Sequence, residues 1–101
     1  MNKDYGPGWD ALVLPLLALA ERWHIKVTAL TTNYGRLMVL WDPPEPGSDL
    51  EPGQLETFRE AAIAAERLSV LICDECGRPG RLRDTFPAQT RCDAHTTGKA
   101  L

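Results

Sequence analysis

A chain of 101 residues, 44% hydrophobic and 25% charged, has the make-up of one small soluble domain, and it is too short for the large catalytic architectures. At this size an apolar core leaves a thin margin of stability, so a covalent or metal staple is expected, and three cysteines can supply one. Eleven lysines and arginines against 14 acidic residues give a formal charge of −3, which removes the overall basic field that drives non-specific binding to phosphate backbones.

The residues before Ala11 include Lys3, Asp4 and Asp10, which is not the basic lead of a signal peptide. The longest uncharged apolar run, Ala11 to Ala20, contains Pro15 and stops at Glu21-Arg22, well short of the roughly 20 residues a membrane-spanning helix needs. A cytoplasmic protein is expected, and an odd cysteine count fits a reducing compartment. Within this segment the spacing of Leu12, Leu16, Leu19 and Trp23 predicts a helix from Asp10 to Trp23. Asp10 is its expected N-cap, and Pro15 is expected either to kink it or to mark its start.

From Ile25 the period changes to two. Ile25, Val27 and Ala29 alternate with Lys26, Thr28 and Leu30, as in a half-buried strand. Asn33-Tyr34-Gly35-Arg36 reads as a turn, and Leu37 to Trp41 as a second strand whose five apolar residues require cover on both faces. Asp42 to Gly53 holds four prolines, two glycines and four acidic residues and reads as an exposed linker. A second helix follows, with Leu55, Phe58, Ala62, Ala65, Leu68 and Ile72 on its apolar face and Glu56, Arg59, Glu60, Glu66 and Arg67 on the wetter one.

The chemistry-bearing stretch is Cys73-Asp-Glu-Cys76-Gly77, then, after an intervening segment, Cys92-Asp-Ala-His95. Two ligand pairs, each separated by two residues, match a tetrahedral site of three cysteines and one histidine. Thiolates and imidazole favour a borderline-soft ion, so one structural zinc is expected on Cys73, Cys76, Cys92 and His95. The rival reading, a redox pair, needs positive charge near the thiols, whereas Asp74 and Glu75 place two negative charges between them. Four protein ligands close a zinc shell, and His24 is the only other histidine, so no enzymatic role is expected. Arg81 to Thr85 is expected to form a short strand, and the second ligand pair to lead into a short helix.

The expected fold class is thus α+β: a helix-hairpin-helix core over residues 1–72, and a treble-clef-like or ribbon-like zinc finger over residues 73–101, packed as one unit. Tyr34 and Trp41, with the finger arginines Arg78, Arg81, Arg83 and Arg91, are the candidate partner contacts, because aromatic and arginine side chains concentrate interface energy. The partner is expected to be a protein. Nucleic acid is the alternative, although the finger has only five basic residues against four acidic, and the preceding segment six against ten. A homodimer is compatible with the same features.

Tyr34-Gly35-Arg36-Leu37, the stretch Ser69 to Arg83 with Cys73, Cys76, Gly77, Pro79, Gly80, Leu82 and Arg83, and Cys92-Asp93-Ala94-His95 resemble a group of small bacterial and phage proteins of uncharacterised activity. The pattern of that group reads Lys-Phe-Gly-x-Leu-Arg-Phe in a hairpin, then a helix, then Cys-Glu-x-Cys-Gly-x-Pro-Gly-x-Leu-Arg and Leu-Cys-Asp-x-His. With the intervening helix it covers about three quarters of the chain. The resemblance implies zinc binding. By analogy of size and setting only, it suggests a phage or mobile-element inhibitor of a host defence system. Asn33 stands where the group has lysine, and Met38-Val39 where it has Arg-Phe, so the hairpin lacks the group's basic character.

Overall fold

The computed structural model describes residues 1–101. Their order is β1 (Asn2–Asp4), α1 (Asp10–Arg22), β2 (Val27–Asn33), β3 (Arg36–Trp41), α2 (Pro52–Ser69), β4 (Arg81–Arg83) and β5 (Gln89–Arg91), an α+β domain. A 3-10 turn at Pro7–Trp9 leads into α1, so Asp10 is the first helical residue and Trp9 occupies the cap position expected for Asp10. Pro15 lies inside α1 on the solvent side. There the carbonyl it leaves without a helical donor can bond water. The buried stripe is Trp9, Val13, Leu16 and Ala20, rotated slightly from the expected one, while Leu12, Leu19 and Trp23 flank it half-buried.

The three-stranded sheet has the order β1-β2-β3, with β1 parallel and β3 antiparallel to β2. The strict alternation expected of β2 fails because of an irregularity in its pairing between Val27 and Ala29. One unpaired residue inverts the faces beyond it, so Leu30 is fully buried and Ala29 turns outward. Leu37 and Val39 join Leu30 against the helices, whereas Met38 and Leu40 lie on the other face and keep partial exposure. The free edge of β3 is closed by α2: the Leu37 amide donates to Ser69 Oγ at 3.0 Å and the Val39 amide to Glu66 Oε2 at 2.9 Å. Side-chain acceptors thereby block further strand addition at that edge.

α2 starts earlier than expected because Glu51, Pro52 and Gln54 make a strong helix start. The Gln54 amide bonds the Glu51 side chain, the Glu51 amide donates to Gln54 Oε1 at 3.1 Å, and Pro52 opens the first turn. Phe58, Ala62 and Ala65 are buried as expected, but Ser69 takes the last core position and Leu68 remains exposed. Ser69 is tolerated there because its hydroxyl is satisfied twice, accepting from Leu37 and donating to the Glu66 carbonyl at 2.6 Å. Trp41 packs edge-on against Phe58 at 5.2 Å between ring centroids, with the Arg59 guanidinium 6.0 Å above the indole.

The strand expected over Arg81 to Thr85 ends at Arg83, and β5 completes a small antiparallel hairpin. The helix expected near His95 is one 3-10 turn, Asp93–His95. The molecule measures 50 × 20 × 19 Å. At one end the start of α1, the β2–β3 turn and the exit of α2 meet the finger; at the other, Trp23, His24, Trp41 and the proline-rich loop border an open groove of about 970 Å³. No helix is long and apolar enough to cross a membrane.

Candidate metal centre

Cys73 and Cys76 sit on a tight turn directly after α2, where the Gly77 amide donates to the Cys73 carbonyl at 3.0 Å and Gly77 adopts a φ of 79°. That left-handed conformation is costly for any residue with a Cβ, which explains the glycine that follows the second cysteine. The second pair rides on the 3-10 turn, where the His95 amide donates to the Cys92 carbonyl at 3.1 Å. The two turns face one another, and the donor atoms of Cys73, Cys76, Cys92 and His95 all lie within 4.8 Å of each other.

Two of the three closest separations are near those of a coordination shell. Cys76 Sγ is 3.8 Å from Cys92 Sγ, and His95 Nδ1 is 3.8 Å from Cys73 Sγ and 3.1 Å from Cys92 Sγ. Sulfurs about 2.3 Å from a central ion in a tetrahedron are about 3.8 Å apart, whereas a disulfide bond is about 2.05 Å long. All three cysteines are free thiols. The arrangement can hold one metal ion with four protein donors.

The protonation tendencies follow from the same crowding. Burial opposes ionisation of Cys73, but contacts of its sulfur with the backbone of Cys92, Cys76 and Glu75 outweigh it and bring the thiol down to about 6. Cys92 also resists ionisation through desolvation, yet the imidazole of His95 and the Ala94 backbone lower it. Cys76 gains from the Arg78 backbone, but desolvation and the sulfurs of Cys73 and Cys92 together raise it. His95 is raised by its bonds to the sulfurs of Cys92 and Cys73. A cation bound among the four would displace protons from the thiols.

A shell of supporting contacts fixes this geometry. Arg91 Nε donates to Asp74 Oδ1 at 2.9 Å and its terminal nitrogens reach Glu75 Oε1 at 3.0 Å and the His95 carbonyl at 3.4 Å. Asp74 is raised by burial, an effect its ion pair with Arg91 opposes. Arg83, buried under the C-terminal segment, donates to the Arg91 and Gly98 carbonyls and to Asp93 Oδ1 at 2.8 Å. Among the candidate contacts, Arg83 and Arg91 therefore spend their donors inside the finger, Arg78 and Arg81 stay exposed, and Tyr34 is 84% exposed. Trp41 lies half-buried at the far end of the sheet, so these residues do not form one surface.

The N-terminus contributes what the sequence pattern left unread. The Gly8 amide donates to the Asp74 carbonyl at 2.7 Å, and the Trp9 indole N–H to the Ile72 carbonyl at 2.9 Å. A Cβ on Gly6 would lie 2.1 Å from the Asp74 oxygen, and one on Gly8 2.1 Å from the Cys73 oxygen. Gly6-Pro7-Gly8-Trp9 is thus an inlay against the Cys73–Gly77 turn. Two glycines just before a tryptophan signal close backbone approach, although not the segment approached. On the other side, Thr90 Oγ1 donates to the Gly35 carbonyl at 2.7 Å and ties the β2–β3 turn to β5.

Comparison with known protein families, with curated proteins and with solved structures finds no match. The reading of the site therefore rests on its own residues.

Proposed function

We propose that this chain is a non-enzymatic zinc protein, in which one ion on Cys73, Cys76, Cys92 and His95 stiffens one end of the molecule into a platform that binds another protein. The convergence of four donors within 4.8 Å carries this reading. Three thiolates and an imidazole suit zinc better than magnesium or calcium. Four protein donors fill a tetrahedral shell and leave no position for water or substrate, and His24 lines the groove at the opposite end, far from the sulfurs. A structural role follows from that closed shell. The protein partner is supported by Tyr34, which a left-handed backbone (φ 52°) projects from a turn bonded to the finger, and by the net negative charge. An inhibitor of host defence machinery is a biological setting that analogy of size and setting alone suggests.

Two measurements test the reading. Elemental analysis of protein purified under reducing conditions is expected to find one equivalent of zinc, lost in Cys73→Ser; an ordered finger without metal defeats the proposal. Nucleic-acid binding is the second reading, favoured by exposed Arg78 and Arg81. It requires affinity for DNA or RNA that falls steeply with salt and disappears when these two arginines are replaced.

A further inference from the structure

The three sulfurs of the cluster differ in access. Cys73 is fully buried, and the Gly8 and Gly80 backbones pack so closely against it that a Cβ on either would lie 2.1 Å and 2.7 Å from its main-chain atoms. Cys76 is exposed and Cys92 half-buried. Their sulfurs stand 3.8 Å apart although the residues are 16 positions apart along the chain, so this pair bridges the two turns of the cluster. Asp74 and Glu75, the carboxylates set between Cys73 and Cys76, are both bound by Arg91, the residue next to Cys92. The repulsion expected of two bare carboxylates is thereby reduced at the pair that spans the turns. A small diffusible oxidant meets Cys76 and Cys92 before Cys73, and joining them requires the sulfurs to close by roughly 2 Å.

We propose that Cys76 and Cys92 are an oxidative modification site, which a peroxide converts to a disulfide that expels the ion and takes over its task of tying the two turns together. One thiolate of the pair attacks a peroxide oxygen, the O–O bond breaks, and a sulfenic acid and a hydroxide ion result. The other thiolate attacks that sulfur, the S–O bond breaks, and the disulfide and a second hydroxide ion result. Two electrons pass from the sulfurs to the peroxide oxygens. Cys73 and His95 are then the remaining donors, and two donors do not fill a zinc shell. A disulfide between Cys73 and Cys76 would lie within one turn and leave the second turn untied. This inference rests on the zinc reading above and adds a chemical control to the same centre.

The test adds hydrogen peroxide to the full-length, zinc-loaded protein while a colorimetric chelator reads free zinc and peptide mass mapping reads cysteine linkage. One zinc is expected to leave per chain, in step with an intramolecular Cys76–Cys92 disulfide, and both changes are expected to reverse with a thiol reductant and fresh zinc. Cys76→His keeps four nitrogen and sulfur donors without the thiol pair, and its zinc is expected to leave about tenfold more slowly. Release without linkage, a disulfide that includes Cys73, or equally fast loss from a zinc-loaded Cys76→His variant overturns the proposal. Mapping on the unaltered chain decides the pairing even if that variant does not hold zinc. Zinc absent before any oxidant is added overturns the zinc reading and this proposal with it; zinc present and unmoved by peroxide that oxidises free cysteine overturns this proposal alone.

Discussion

At the finger end, the backbones of Gly6, Gly8 and Gly80 approach the Cys73–Gly77 turn so closely that a Cβ on any of them would clash, whereas at the loop end Gly47 and Gly53 have nothing within 4 Å of a notional Cβ. The charged groups divide in the same way. Arg83 and Arg91 are locked into bonds with Asp93, Asp74 and Glu75, while the loop end has the open pair Lys26–Asp42 at 4.0 Å with both side chains largely in water. One end of the molecule is specified by contact and, on the reading above, by metal; the other is held by helix caps and aromatic packing. The lesson concerns crowding: an added Cβ is expected to be felt through backbone contact at Gly6, Gly8 and Gly80, and not at Gly53.

The largest expected effect comes from removing the metal. Structural zinc contributes about 10–16 kcal/mol to small fingers near neutral pH, so chelation or Cys73→Ser is expected to abolish amide protection across residues 73–101. Gly8 and Trp9 are expected to lose protection with the finger, because their bonds end on Asp74 and Ile72. The start of α2 is expected to keep its protection. Hydrogen exchange by residue checks this, and uniform loss at both ends would erase the contrast between them.

Next in size is a pair of alanine substitutions. Gly8→Ala forces its Cβ into the Cys73 carbonyl and is expected to cost about 2–3 kcal/mol. Gly53→Ala, in the first turn of α2 with open space around it, is expected to stabilise by about 0.5 kcal/mol. Urea unfolding of both variants measures the difference. Within the finger itself, Arg91→Ala leaves the largely buried Asp74 carboxylate without its partner and is expected to cost about 2 kcal/mol. Arg81→Ala, exposed and unpaired, is expected to change stability by less than about 0.5 kcal/mol.

The smallest effect belongs to Tyr5, whose phenol is raised by burial and by the adjacent Asp10 carboxylate. The folded state therefore holds this proton more tightly than the unfolded chain. The resulting stabilisation is complete below the ordinary tyrosine value of 10.0 and is lost as pH rises through the higher folded value. Tyr5→Phe is expected to remove this alkaline loss and the late-titrating phenolate absorbance with it.

Much of the chemistry was legible from local pattern alone. The spacing of Cys73, Cys76, Cys92 and His95 announced one four-donor cluster, because a tight turn brings residues three apart to a common ion wherever it stands in a fold. Helical periodicity located α1 and α2, since one apolar face must be buried whatever covers it. The local pattern did not disclose β1, the irregularity in β2 that turns Leu30 inward, or Ser69 in place of Leu68 at the core, since each is decided by a partner distant along the chain. The four finger arginines look alike in sequence and differ in the structure.

By itself, the order of residues determined the two Cys/His pairs that converge, the two helices and the hairpin turn, all of which depend on interactions across a few neighbouring positions. Only the tertiary structure decided that Gly6 to Trp9 lies against the Cys73–Gly77 turn, and that Arg83 and Arg91 brace the Cys/His cluster while Arg78 and Arg81 stay exposed. The physical reason is reach: hydrogen-bond and ion-pair partners far apart along the chain are chosen by the packing of the whole domain, which no short window of sequence contains.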